Sequence, residues 1–299
     1  MSAEQREPEK REFAIRRILV AIDASLRSLA ALEAAADLAA QLHAELLGLF
    51  VEDIDLLRLA GTPAAIHCVY PSASDQPLRA GQIECELRAL AERARRELAG
   101  AAERAHVPWS FRTVRGQVAA EVLLAAAEAD LLTLGEVGRS IARRLGLGST
   151  ARAAIAGARS SLLLVQGRIP RMQPVLAAYD RSPGAAEACR FAAHLAESTS
   201  GLLTVFLTSP SGWREPAIEA EVARLLAGMK LHVRFHWLES EEKQLFLRAV
   251  QSEHGGVLVI GGQSSYSDEQ LVEKLLHQTS HPLLILGTRS NPVLLTPPE

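Results

Sequence analysis

The chain has 299 residues, enough for about two domains of ordinary size, and 48% of them are hydrophobic, so each half can bury a core. Aromatic residues make up only 4%, so Ala and Leu must fill those cores, which favours helix-rich layers over a β-sandwich. A net charge of −3 with a pI near 6.3 leaves no basic footprint for nucleic acid. Cys68, Cys85 and Cys189 are widely spaced and odd in number. They suggest neither a disulfide framework nor a zinc site, and they fit a reducing cytoplasm. No apolar run approaches the about 18 residues of a membrane span. The start is polar and has no signal-like apolar stretch. Residues 1–15 read as a polar tail, with its charged part a solvated, disordered arm.

Residues 18–23, Ile-Leu-Val-Ala-Ile-Asp, are an apolar run ending in a carboxylate. Such a run reads as a strand buried on both faces, as in a parallel sheet. Ser25 follows as a candidate N-cap, and 29–42 reads as an Ala-rich helix. Residues 46–51 form a second strand. Residues 52–76 read as irregular, because Pro63 and Pro71, with Pro77 just beyond, break any long helix. A long helix covers 79–105, a third strand 109–114, a helix 119–128 and a fourth strand 130–134. After a glycine loop and a short helix over 151–156, residues 162–165 make a fifth strand. Alternating strands and helices imply a parallel sheet with helices on both faces and right-handed crossovers. Ligands of such sheets sit beyond the carboxyl ends of the strands, where the strand order reverses. Asp23 ends the first strand and Gly135 follows the fourth, so both face one crevice if those strands are neighbours.

After a linker at 166–173 the pattern restarts. Val175-Leu176-Ala177-Ala178-Tyr179-Asp180-Arg181-Ser182 copies residues 18–25, with Asp180 matching Asp23 and Ser182 matching Ser25. Helices at 185–197, 218–229, 241–251 and 271–276 alternate with strands at 202–207, 232–237, 257–260 and 283–286. The chain is therefore an internal duplication, with units at 16–166 and 174–290. The second copy lacks the long 52–76 loop. Gly261 matches Gly135, and counting back from the last strand places Glu269 and Gln270 opposite Gly148 and Ser149. A carboxylate there repels phosphate.

The most informative stretch is Leu134-Gly135-Glu136-Val137-Gly138, then nine residues, then Gly148-Ser149-Thr150. Glycines let backbone approach a ligand with no Cβ in the way. A helix N-terminus offers unpaired N–H groups and partial positive charge, which suits phosphate. Ser149 and Thr150 can cap the helix or reach phosphate or a metal with their hydroxyls. Turn glycines and a plain cap would give the same local sequence.

An Asp ending strand one, followed after strand four by Gly-x2-Gly-x9-Gly-Ser (Gly135, Gly138, Gly148, Ser149), resembles the universal stress protein family in its tandem two-domain form. The resemblance covers nearly all of the chain beyond about residue 15. It implies two tandem doubly wound α/β units, each a five-stranded parallel sheet of order 3-2-1-4-5, the first binding ATP. By the same resemblance Ala21 and Ile22 line the adenine pocket and Asp23 lies near adenine and ribose. Val51 contacts adenine through its backbone, and Leu134 and Gly135 pack on the nucleoside. Gly138 and Gly148 let the backbone close on phosphates, to which Ser149 and Thr150 donate, with a hydroxyl near any Mg²⁺. Family members often have Pro or Val before Thr or Asp where this chain has Ala21-Ile22, which changes the pocket's shape.

The expected function is that of an adenine-nucleotide-binding regulatory or stress-response module in the cytoplasm, with the nucleotide in the first unit only. The alternative is a slow ATPase or autophosphorylating enzyme, for which no catalytic base is apparent. Asp23 can equally cap the next helix. Arg139, Arg143 and Arg144 can neutralise a triphosphate or form an exposed face. No glycine fingerprint follows strand one and no Gly-Lys-Ser/Thr occurs, which argues against nicotinamide-dehydrogenase and P-loop readings. His232 and His236 fall in a strand and are too few for a metal site. The apolar fifth strands allow an intramolecular pseudo-dimer, and further pairing into a homodimer stays open.

Overall fold

The computed structural model describes residues 15–61, 66–68, 75–77, 80–135, 148–157, 160–166, 173–208, 214–240, 242–254 and 256–287. In the first copy the order is β1 (Arg17–Ala21), α1 (Leu26–Leu42), β2 (Glu45–Asp53), α2 (Ile54–Ala60), β3 (Ile66–Cys68), β4 (Asp75–Pro77), α3 (Ala80–Ala105), β5 (Trp109–Gly116), α4 (Val118–Ala126), β6 (Leu131–Gly135), α5 (Ser149–Gly157) and β7 (Ser161–Val165). The second copy follows as β8 (Val175–Tyr179), α6 (Pro183–Glu197), β9 (Leu202–Leu207), α7 (Pro216–Leu225), β10 (His232–Trp237), α8 (Lys243–Ser252), β11 (Leu258–Gly261), α9 (Glu269–Gln278) and β12 (Leu283–Leu286).

Two expectations need correction. The 52–76 stretch is not wholly irregular. Val51-Glu52-Asp53 continue β2 by pairing with Val114-Arg115-Gly116. The Asp53 carboxylate then accepts the Asp55 N–H at 2.9 Å and starts the short α2, and β3 pairs with β4 in an antiparallel ladder. Local capping supplies a helix start that the prolines do not forbid. In the second copy α7 ends at Leu225 rather than near Met229, because Gly228 turns the chain with a φ of +89°.

The strands form one ten-stranded sheet in the order β10-β9-β8-β11-β12-β7-β6-β1-β2-β5. Each half reads 3-2-1-4-5 in its own numbering, and pairing within each half is parallel. The halves meet where β7 and β12 pair antiparallel, Leu162 opposite Ile285 and Leu164 opposite Leu283. The carboxyl ends of the two sets of strands therefore point to opposite edges of the sheet. The join has polar ties as well. The Gly287 N–H donates to Ser161 Oγ at 3.2 Å, and Arg152 on α5 lies 3.3 Å from Glu273 and 3.9 Å from Glu269 on α9.

One buried layer lies under α1, α3, α6 and α7, the other under α4, α5, α8 and α9. Small residues bring the layers close. Ala31, Ala34, Ala35 and Ala39 give α1 a flat face, and a Cβ on Gly48 of β2 would sit 2.6 Å from Leu98 of α3. Residues in β7 and β8 are buried throughout, as the continuous apolar runs demand. Among the described residues no helix is long and apolar enough to cross a membrane.

Candidate functional site

In the first copy β1 lies between β2 and β6, the point where the strand order reverses. Crossovers leave β1 and β6 toward opposite faces, so the backbone parts beyond their carboxyl ends. Ala21 ends β1, Val51 nears the end of β2 and Val114 the end of β5. These three, with Val118 at the start of α4, are partly exposed and pack on the α4/α5 core. They make an apolar floor. Leu134 is buried within the same core, and Gly135 is half-buried at the end of β6. Ile22 differs. Its side chain is buried in the α1-side core and its N–H donates to Leu49 O at 2.8 Å, so it offers the crevice only backbone.

The Asp23 carboxylate accepts the Ser25 N–H at 2.9 Å, and Ala24 between them adopts φ +57°. Ser25 caps α1 by accepting the Ser28 N–H at 3.2 Å. The Asp-x-Ser pattern is thus a turn with a cap, which fixes a half-buried carboxylate at the mouth of the crevice. Gly148, rather than Ser149, holds the cap position of α5: its carbonyl accepts the Arg152 N–H at 3.0 Å. Ser149 and Thr150 open the helix, the first exposed and the second half-buried. Glu136, Gly138, Arg139, Arg143 and Arg144 lie outside the described residues.

Sequence reasoning did not find Val114, Val118 or the charges beside them. Arg115 pairs with Glu52 at 2.8 Å and with Glu84 at 3.5 Å. The Glu121 carboxylate lies against Gly116, so close that a Cβ there would be 2.4 Å from it. Alternation along β5, which places Val114 on the face of Ala21 and Val51, was the available signal.

The second copy repeats the turn. Asp180 accepts the Ser182 N–H at 3.1 Å, Arg181 adopts φ +61°, and Ser182 caps α6 through the Ala185 N–H at 3.3 Å. Beyond that the crevices diverge. The second oxygen of Asp180 accepts both the N–H of Ser265, at 2.7 Å, and its hydroxyl, at 2.9 Å. Burial pushes the Asp180 carboxyl up, but the hydrogen bonds from Ser182 and Ser265 outweigh it and hold it below its ordinary value. Gly261 packs so closely on Gly184 that a Cβ would sit 2.4 Å from its carbonyl carbon. Tyr266, 1% exposed, stacks on Phe246 with ring centroids 4.1 Å apart. The helix start also differs from the expected alignment: Asp268, not Glu269, caps α9, accepting the Leu271 N–H at 3.2 Å and pairing with Lys243 at 2.7 Å. A carboxylate does occupy that helix end, one residue earlier, while Glu269 faces Arg152.

Elsewhere the chemistry is structural. Among the described residues no group of three or more His, Cys, Asp or Glu could hold a metal ion. His236 lies 3.9 Å from Glu253 with its ring 5.3 Å from Phe206. Burial pushes the Cys189 thiol up to about 12, which makes it inert.

The universal stress protein family matches residues 14–166. Among solved structures, a universal stress protein from Archaeoglobus fulgidus DSM 4304 is 18% identical, with 92% of this chain and 97% of that chain covered and a TM-score of 0.67. A putative universal stress protein from Pseudomonas aeruginosa UCBPP-PA14 is also 18% identical, covering 92% of this chain and 94% of that one at a TM-score of 0.51. A universal stress protein in complex with cAMP is 24% identical over 51% of this chain and 97% of that one, with a TM-score of 0.35. No curated protein matches the chain. With its first copy matched and the same five-strand order built twice, the chain belongs to the universal stress protein family.

Proposed function

We propose that the first copy binds an adenine nucleotide, with ATP the expected ligand, and that the protein acts as a regulatory stress-response module. The observation that carries this reading is the contrast at the two switch points. Both have the Asp-x-Ser turn, but only the first combines a partly exposed apolar floor with a Gly-Ser-Thr helix start. Adenine would rest on Ala21, Val51 and Val114, and the Ile22 backbone would frame it. Asp23, already turned by Ser25, would accept a ribose hydroxyl. Phosphates would approach Gly148 and the first turn of α5, where N–H groups and the helix dipole favour anions. Any Mg²⁺ would be carried mainly by the phosphates, near the Ser149 and Thr150 hydroxyls.

The second crevice offers neither an open floor nor an anion-friendly helix start, so the reading gives one nucleotide per chain. The test is to purify the protein without added nucleotide, denature it and identify released small molecules by chromatography with mass detection, followed by titration with Mg-ATP. About one adenine nucleotide per chain, lost in Gly148→Glu, is expected. No release and no binding on titration would overturn the proposal. Two per chain would overturn its restriction to the first copy.

A further inference from the structure

In the second copy the residues at the floor of the crevice are buried. The parallel register places Ala178 where the first copy has Ala21, Thr208 where it has Val51, and Leu238 where it has Val114. The first-copy residues are partly exposed, while Ala178, Thr208 and Leu238 are buried, at 0%, 2% and 6% exposure. The segment after β11 runs beside this crevice, since Ser265 meets Asp180. Tyr266 joins the same buried cluster as Ala178 and Leu238, and its ring lies on Phe246. Phe246 is the fourth residue of α8, and the fourth residue of α4 is Glu121. The neighbouring Ser265 presents a hydroxyl and an N–H to Asp180, the counterpart of Asp23.

The segment is held shut from both ends. The Gly262 N–H donates to Leu286 O at 2.8 Å, and the Ser267 hydroxyl lies within hydrogen-bond reach of Ser264 O at 2.8 Å and Gly262 O at 3.0 Å. The Thr208 hydroxyl is buried with no hydrogen-bond partner among the described residues.

We propose that Ser265 and Tyr266 are a tethered occupant of a latent nucleoside site. The Tyr266 ring takes the place of a base, and the Ser265 hydroxyl takes that of a ribose hydroxyl on Asp180. Removing the ring opens a slot for a flat aromatic ligand of the purine-nucleoside class. The base-and-ribose assignment rests on the reading of the first crevice given above. The occupancy of the second crevice by its own side chains does not.

The test compares wild type, Tyr266→Gly and the double variant Tyr266→Gly/Asp180→Ala. The probes are p-cresol, which replaces the missing ring, and adenosine, with stoichiometry read by equilibrium dialysis. The expected result is that Tyr266→Gly takes up p-cresol and binds one more adenosine per chain than wild type. The extra adenosine should be lost in the double variant, with p-cresol retained. Uptake of neither probe by a folded Tyr266→Gly, or of p-cresol without extra adenosine, overturns the proposal. One adenosine per chain on both wild type and Tyr266→Gly defeats this proposal and leaves the first-site reading standing. None on wild type and one on the variant does the reverse. If Tyr266→Gly does not fold, Ser265→Ala carries the test through native-state hydrogen exchange. Loss of the clasp should speed exchange at the Tyr266 amide by about tenfold, since a hydrogen bond to a charged group contributes at least that factor, while the amides of β11 stay unchanged. Unchanged exchange at Tyr266 would overturn the proposal.

Discussion

The two crevices begin with the same turn and end as different objects. In the first, the Asp23 carboxylate accepts the Ser25 N–H of its own turn, and Ala21, Val51 and Val114 nearby are partly exposed. In the second, Asp180 reaches across to the segment after β11, where Tyr266 stacks on Phe246. A carboxylate at a switch point is therefore not a binding site in itself. In the second copy the segment after β11 supplies the Asp180 carboxylate with partners from outside its own turn.

The comparison can be broken most directly at the helix starts. Gly148→Glu should give α5 a carboxylate at its cap position, as Asp268 gives α9, and should reduce ATP affinity by at least about 100-fold in calorimetric titration. Its melting temperature should stay near that of wild type, because a carboxylate at a helix N-terminus is itself favourable. Next in size is Gly261→Ala, which forces a methyl group onto the Gly184 backbone. It should cost about 3 kcal/mol in denaturant unfolding and leave nucleotide affinity unchanged.

The two aspartates should then separate cleanly. Asp180→Ala loses the acceptor for three described hydrogen bonds and should destabilise the protein by about 1.5–3 kcal/mol, with no effect on ATP binding. Asp23→Ala should instead weaken ATP by about tenfold, in line with one lost bond to a charged group. A reversal of these roles would invert the assignment of open and closed crevices. Because the Asp180 carboxyl is held below its ordinary value, its contribution is complete above the unfolded-state pKa and is lost as pH falls through the folded one. The stability gap between wild type and Asp180→Asn should accordingly be flat near neutrality and close below about pH 4. The smallest effects test what the copies share: Ser25→Ala and Ser182→Ala each remove one cap and should each cost about 1 kcal/mol. A large inequality between them would mean that one turn is supported by something besides its cap.

Much of this was legible in the residues. The apolar runs at 18–22 and 175–179 could only be strands buried on both faces, and the repeated Asp-x-Ser gave away the duplication. The duplication in turn fixed the positions to compare. Less legible was anything that depends on contacts between distant segments. Nothing local to Ser265-Tyr266 says that the hydroxyl meets Asp180 or that the ring meets Phe246, since both partners come from elsewhere in the fold. The 52–76 stretch misled for a different reason. Its prolines break a long helix, but Asp53 caps one short enough to end before them. At Ile22 the strand alternation continues one residue past the end of β1. Its side chain belongs to the face opposite Ala21.

The antiparallel meeting of β7 and β12 has one further consequence. Were the two halves separate and identical chains, every substitution would appear in both at once, and their association would weaken on dilution. Covalent linkage makes that association intramolecular, at an effective concentration set by the short connection rather than by the amount of protein. It also frees each half from the other's symmetry. One side of a joined pair can tie its switch-point carboxylate to a distant segment, as Asp180 is tied to Ser265, without the other having to follow, and the pair still holds at any concentration.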